Sequence, residues 1–458
     1  MKRLAYKIFL FCLTSGFLVL TSCEVREVFD PNNPSLGSVT TNANKSQLQV
    51  LVTGLEGRNR DYLGNVVQMF GSFGREVWPY FGSDPRFVND WLGIGRTETY
   101  PDFFGAAGTY TTPYQAVKQA NVLIKAATNS SFVNEQETKG LTGFAKTIKG
   151  FQLIWPLMQQ WDNGIRIDVD DPLNPGPVLQ RAQALAAIRQ IIEEGANDLK
   201  AAGSTFSFNL TSGFDGFNTP ADMLKVNRAI AARLALYAED WQGALTALNE
   251  SFLNLNATTA ADLNVGPKHV YGQTPDANNP LFYPFDQATS TILIVHPDLI
   301  EDALPGDQRV ATKFAKRTIL VQNNSLKDAA GNLLKGEYQD KRWASNTAPF
   351  TFIRNEELIL IYAEAQARLN NPTEAVKAIN IIRNIWGVGD YTGATTVDAL
   401  IEEILFQRRY SLWAEGGHRW IDLRRTGKLN ATYVDLRDRG NIYKQVDRPL
   451  SEINWDAR

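Results

Sequence analysis

The stretch YAEAQARLNNPTEAVKAINI, residues 362–381, decides the fold. Small and apolar residues recur at three- and four-residue spacing on both sides of Asn370-Asn371-Pro372, which reads as helix, tight turn, helix. Just upstream, Leu358, Ile361, Tyr362, Ala365 and Leu369 make the stripe of the first helix. The chain carries the same pattern a second time. Residues 231–250, AARLALYAEDWQGALTALNE, superpose on the first stretch at an offset of 131, placing Ala232 on Ala363, Ala244 on Ala375, Ala247 on Ala378 and Leu248 on Ile379. Small residues at those positions let two helices approach closely, as in a tetratricopeptide-type hairpin. Any antiparallel helix pair would give alanines at this spacing, so both readings stand. A regular solenoid is disfavoured, because stacked repeats recur about every 34 residues.

Working outward, helical periodicity continues. Ile148, Phe151, Ile154, Trp155 and Met158 share one face, with Pro156 expected to kink or end that helix. Leu185, Ile188, Ile192, Ala196 and Leu199 form another stripe. The expectation is a mostly α-helical chain.

RRYSLWAEGGHRWIDLRR, residues 408–425, gathers arginines, Glu415, His418, two tryptophans and Asp422. It has the look of a catalytic cluster, and its spacing argues otherwise. Glu415 and Arg419 stand at i, i+4 and Asp422 and Arg425 at i, i+3, so the charges can satisfy one another, with the tryptophans and Leu412 packed beneath. His269 and His296 are distant in sequence, and neither a histidine metal motif nor a Gly-x-Ser-x-Gly elbow occurs. We read a buried ion-pair network. Acidic pairs elsewhere, Glu98 with Asp102 or Asp168 with Asp170 and Asp171, satisfy the composition of a glycosidase but not its distances. The DVDDP run reads as a solvated turn rather than a calcium site, since the EF-hand spacing is missing.

The beginning of the chain reads as a targeting segment. Lys2, Arg3 and Lys7 precede an apolar run from Ile8 to Leu20, which is short for a bilayer span and has the layout of a secretory signal. Leu20-Thr21-Ser22-Cys23 resembles a lipoprotein cleavage box, so Cys23 is the expected lipidation site, residues 1–22 the signal peptide, and 23–38 a tether rich in Pro, Asn and Ser. Cys12 is the only other cysteine, so no thiol remains for a disulfide, a metal site or a nucleophile. A hydrophobic content of 44% can supply the core instead. A net charge of −3 gives no electrostatic support to a nucleic-acid partner. Two regions, 70–114 and 262–286, are rich in aromatics interrupted by Gly, Pro and polar residues, and long loops of that kind are usually functional.

Three places together resemble the SusD/RagB family of outer-membrane nutrient-binding lipoproteins: the box at Cys23; FTFIRNEELILIYAEAQARLNNPTEAVKAINIIRNIWG at 350–387; and the 408–425 stretch followed by RPLSEINWD at 448–456. The chain departs from the family pattern at Gln407-Arg408, where a Glu-Arg pair is usual, and at WDNGIRIDVDDP, residues 161–172. The resemblance implies a single domain over 39–458. Tetratricopeptide-like helices at 110–250 and 350–425 would form a scaffold, with loop-rich insertions at 70–110 and 255–345 carrying the ligand surface. It also implies a non-enzymatic protein without cofactor or metal, which captures a glycan for a SusC-type TonB-dependent transporter barrel. Peptide ligands, a lipid-anchored hydrolase and a protein-binding adaptor are the alternatives. In the family, the segment after a Ser-Asp pair contributes ligand contacts; here that pair is Ser83-Asp84. Flat rings stack on sugar faces while amides and arginines bond hydroxyls. The expected ligand residues are therefore Trp91, Trp78, Tyr80, Arg86 and Asn89, then Tyr271 and Tyr283.

Overall fold

A computed structural model describes residues 36–80, 84–96, 104–171, 173–287 and 292–457. The signal segment, Cys23, Glu98 and Asp102 lie outside these. The longer helices are α1 (Lys45–Asn59), α2 (Leu63–Phe73), α3 (Ala106–Asn129), α4 (Glu135–Gln160), α5 (Arg181–Ala201), α6 (Pro220–Tyr237), α7 (Trp241–Asn249), α8 (Asn355–Arg368), α9 (Pro372–Ile385), α10 (Val397–Ser411) and α11 (His418–Arg425). Helices α3 to α7 pack each on the next, α8 packs on α9 and α10, and α7 meets α8, so the two hairpin regions join into one helical scaffold. The fold is mostly α with tetratricopeptide-like hairpins, as the sequence implies.

The two hairpins are alike to the level of single hydrogen bonds. In the first, Glu239 adopts φ 57° and the Asp240 N–H donates to the Ala235 carbonyl at 2.9 Å. At the same offset of 131, Asn370 adopts φ 61° and the Asn371 N–H donates to the Gln366 carbonyl at 2.8 Å. Each helix therefore ends in the same left-handed cap, which satisfies its last carbonyls and reverses the chain within three residues. Pro156 does not end its helix: α4 runs on to Gln160, and the chain turns at Trp161, φ 49°. Packing of α4 between α3 and α5 outweighs the hydrogen bond that proline removes.

Within 255–345, expected as loops, most of an antiparallel sheet forms. Strands β1 (Val77–Pro79), β2 (Leu293–Val295), β3 (Phe314–Lys327) and β4 (Leu333–Asp340) pair in the order β1-β2-β4-β3. β3 is exposed or half-exposed along most of its length, so it lacks the apolar alternation by which a strand is recognised. The region 70–114 is also more helical than expected, since α2, a helix over Arg86–Leu92 and α3 take up much of it.

The 408–425 stretch ties these parts together. The Arg425 guanidinium donates to both Glu364 oxygens, at 2.6 and 2.7 Å, and to Asp422 Oδ1 at 2.9 Å; Arg408 Nε donates to Asp422 Oδ2 at 2.6 Å. Arg233 of α6 binds Glu357 of α8 through two bonds of 2.6 and 2.5 Å. All six side chains are buried. Burial alone would raise the Asp422 carboxyl, but Arg408 and Arg425 outweigh it and hold the group down at about 2. One pairing differs from expectation. Glu415 does not meet Arg419; it binds Arg354, at 2.9 Å from Nε, and Arg342. The helical register needed for an i, i+4 pair is broken, because α10 ends at Ser411 and α11 starts only at His418. Between them Gly417 stands at φ 68°, and a Cβ there would lie 2.1 Å from Phe70 Cβ of α2.

Behind this junction, the Glu76 carboxyl is 1% exposed and has no ion-pair partner among the described residues. Burial pushes it up to about 8, against the pull of the Ala414 N–H, Arg419 and Arg409.

Three outcomes follow. Gly417→Ala should lower the unfolding free energy by roughly 3 kcal/mol, seen as a lower urea midpoint at constant slope; an unchanged midpoint would refute the steric account. Asp422→Asn leaves two buried guanidiniums short of a counter-charge and should cost about 3–5 kcal/mol in the same assay. Glu76 keeps its proton in the folded chain between about pH 4.5 and 8 while the unfolded chain has released it, so its contribution to stability falls as pH rises through that window. Glu76→Gln should therefore gain on the native protein by about 1 kcal/mol or more between pH 5 and 8. A difference that does not change with pH would contradict the raised carboxyl.

Candidate functional site

Four of the seven expected ligand residues belong to the interior. Trp78 is 1% exposed, its indole N–H donating to Asp438 at 3.2 Å and its ring set edgewise on His296. Tyr80, equally buried, donates its hydroxyl to the Leu334 carbonyl at 2.8 Å. The Trp91 indole N–H donates to the Phe104 carbonyl at 2.8 Å, with Phe87 against its ring. Tyr271 is buried beneath the Arg60 guanidinium. The expectation of exposed rings is corrected at these positions. Short strands and a two-turn helix cannot present a continuous apolar stripe, so large aromatics fill the space between them, each indole or hydroxyl of Trp78, Tyr80 and Trp91 finding an internal acceptor. Arg86 and Asn89 are accessible on the helix Arg86–Leu92, Arg86 paired with Asp84 and lying over the Phe104 ring. Tyr283 is half-buried and accepts from Gln68 Nε2 at 3.2 Å.

Trp78, Tyr80 and Tyr283 share one cluster with Val88 and Leu92 of the helix that carries Arg86, Asn89 and Trp91. Tyr271 sits apart, in the main core.

The open space lies beside this cluster. A cleft of about 880 Å³ runs between the Asp298–Asp302 segment, α10, α11 and residues 431–437. Tyr391, Phe406 and Tyr433 supply rings, and Arg409, Arg419 and Arg437 supply guanidiniums. A second cleft of about 440 Å³ continues along the sheet, walled by Trp78, Val295, Leu334 and Tyr338. Both are within or near the range that holds small ligands. They share Glu301 and Arg437, whose two-bond ion pair, at 2.8 and 2.6 Å, stands between them. Removing that partition would leave one groove. Aromatic edges beside carboxylates, guanidiniums and a threonine hydroxyl suit a polyhydroxylated chain, which has apolar C–H faces and hydroxyls in alternation.

His296, Asp298 and Asp435 bring possible metal-ligand atoms within 4.8 Å of one another at the edge of the larger cleft. The protein's own cations already hold them. His296 Nδ1 is 2.6 Å from Asp298, Asp298 pairs with Arg409 at 2.6 Å, and Asp435 pairs with Arg437 at 2.5 Å. The acidic residues Asp168, Asp170 and Asp171 are exposed on a turn, far in chemistry from a paired acid and base: Asp171 accepts from the Leu173 N–H and the Asn174 amide.

Sequence reasoning missed most of the groove. Its wall comes largely from residues 298–302, 333–338, 391–406 and 431–437, none of which has a motif of its own; of its larger cleft, Arg409 and Arg419 fall in a stretch singled out by pattern. The aromatic content of 70–114 pointed to the neighbourhood through Trp78, not to the opening itself.

Comparisons with known proteins agree with this architecture. A model of the SusD family matches residues 315–457. SusD-like protein P38 of Formosa agariphila is 39% identical over 83 residues, a match covering 16% of this chain and 16% of the relative's length. A SusD superfamily protein from Parabacteroides distasonis superposes with a TM-score of 0.67 at 15% identity, over 90% of this chain and 98% of the other. The surface glycan-binding protein A of Bacteroides thetaiotaomicron, solved with laminarihexaose, gives the same TM-score of 0.67, 15% identity, and 90% and 98% coverage. A SusD superfamily protein from Bacteroides vulgatus gives 0.65 at 16% identity, over 90% and 97%. The SusD family's sequence pattern is thus present over residues 315–457, and the chain shares the fold of SusD superfamily proteins over nine-tenths of its length.

Proposed function

We propose that this protein binds a glycan non-covalently at the outer surface of the cell and passes it to a SusC-type TonB-dependent barrel, anchored to the outer membrane by lipid on Cys23. The observation that carries the reading is the two-part groove, about 880 and 440 Å³, with rings and paired charges along its walls. Its setting supports it: the same fold serves a surface glycan-binding protein solved with a hexasaccharide. Among the described residues no helix is long and apolar enough to cross a membrane.

In this reading Tyr338 and Tyr433 stack on sugar faces, and Trp78 backs the narrower cleft. Arg86, Asn89 and Tyr283 extend the contact surface beyond it. Tyr80, Trp91 and Tyr271 hold that surface in place from below. Capture draws on many weak contacts along a chain, which raise its local concentration without any bond being made or broken.

The test is calorimetry of the purified protein against a panel of polysaccharides, oligosaccharides and peptides, with mass spectrometry of every bound sample. A glycan should bind and be recovered intact, and Tyr338→Ala and Tyr433→Ala should each weaken it by about tenfold with little change in melting temperature. Cleaved products would turn the reading to a hydrolase. Binding only of peptides would overturn the glycan assignment.

A further inference from the structure

The larger cleft is built from charges, and nearly every one has a partner. Arg409 is paired with Asp298 at 2.6 Å and Asp302 at 2.9 Å. Arg437 is paired with Glu301 at 2.6 Å and Asp435 at 2.5 Å. Glu402 is held by Lys428, and Glu403 by Arg383 at 2.6 Å. Arg419 is different. Its guanidinium donates to the Tyr433 carbonyl at 3.1 Å, and no carboxylate stands within ion-pair distance of it among the described residues. The two acids nearest along its own stretch are taken, Glu415 by Arg354 and Arg342, and Asp422 by Arg408 and Arg425. Burial pushes Glu76, behind it, up to about 8, which weakens that carboxyl as a counter-charge.

A half-buried guanidinium with no carboxylate in direct contact is costly, and one facing a cleft is a candidate for holding an anion; Asp298 and Asp422 act on it only from a distance. Its surroundings strain it further: burial, then the like charge of Arg409, pushes Arg419 down to about 10. Phe406 and Tyr433 add apolar surface to the same cleft, and Thr432 adds a hydroxyl.

We propose that the larger cleft holds a monoanionic sugar group, a uronate carboxylate or a sulfate ester, against Arg419. This rests on the glycan-binding reading and narrows it to an acidic glycan. The geometry of a guanidinium suits two parallel bonds to either group. The six carboxylates that line the same cleft, although paired, repel a more highly charged group, so a phosphate monoester is disfavoured.

The experiment measures melting temperature in tens of millimolar glucuronate, galacturonate, glucose 6-sulfate or glucose, with sodium chloride equalising ionic strength. At least one acidic sugar should raise the native protein's melting temperature by about 1 °C or more while glucose does not, and the arms tell carboxylate from sulfate. Arg419→Met should abolish the shift, Arg419→Lys should restore part of it, and Arg58→Met, a surface change on α1, should leave it intact. An equal response to glucose and the acidic sugars overturns the proposal, as does a shift that persists in Arg419→Met. Should Arg419→Met fail to fold, the native comparison and Arg419→Lys still decide. Neutral glycans binding in the panel with no acidic-sugar effect would sink this inference alone; silence in both assays would remove the glycan reading with it.

Discussion

Arg425 is the point on which the scaffold converges. It is buried and bridges Glu364 of α8 to Asp422 of its own helix, while Asp422 reaches on to Arg408 of α10. Moving these charges out of water costs several kcal/mol per ion, and only near-ideal geometry repays it. A network of this kind tolerates one arrangement of its helices and penalises others. An apolar core of alanines and leucines could slide by a turn with modest loss; a guanidinium bonded along two edges cannot. That is why so much charge is concentrated at 408–425, and why the stretch has the composition of an active site without being one.

The helical hairpins depend on the same constraint from a different direction. Glu357 of α8 is fixed to Arg233 of α6, so the first hairpin is locked to the second across an interface that has no covalent or sequential link. Within each hairpin, the left-handed residues Glu239 and Asn370 make equivalent turns. The repeated unit is therefore a turn geometry as much as a helix pair, and the small residues at its interface follow from how closely that turn brings the helices together.

Rigid parts of this kind leave a groove where they stop. The charges that build the scaffold continue onto its wall, where Arg409 and Arg437 each gather two carboxylates. The Glu301–Arg437 pair is more exposed than the buried network and divides the groove in two. A half-exposed ion pair is worth little in stability, so opening it to join the clefts would cost the fold little.

The sequence by itself determined the strongly periodic helices around 148–158, 185–199 and 358–369, the two hairpins and the ion-pairing character of 408–425. These rest on local periodicity and on residues close along the chain, which the 3.6-residue repeat makes legible. The match of 231–250 with 362–381 could be read before any turn was seen. The local pair of Asp422 with Arg425 was legible, but tertiary structure decided the other pairings. Glu415 passes over Arg419, four residues on, for Arg354 and Arg342, because a turn at Gly417 breaks the helix that would have joined them. It also decided which aromatics are core. Trp78, Tyr80, Trp91 and Tyr271 carry the composition of a sugar-binding surface, yet burial depends on what packs from distant segments. The groove as a cavity is not legible in the sequence, because its walls come from helices, strands and turns far apart along the chain, and a cavity is defined by the space that packing leaves unfilled.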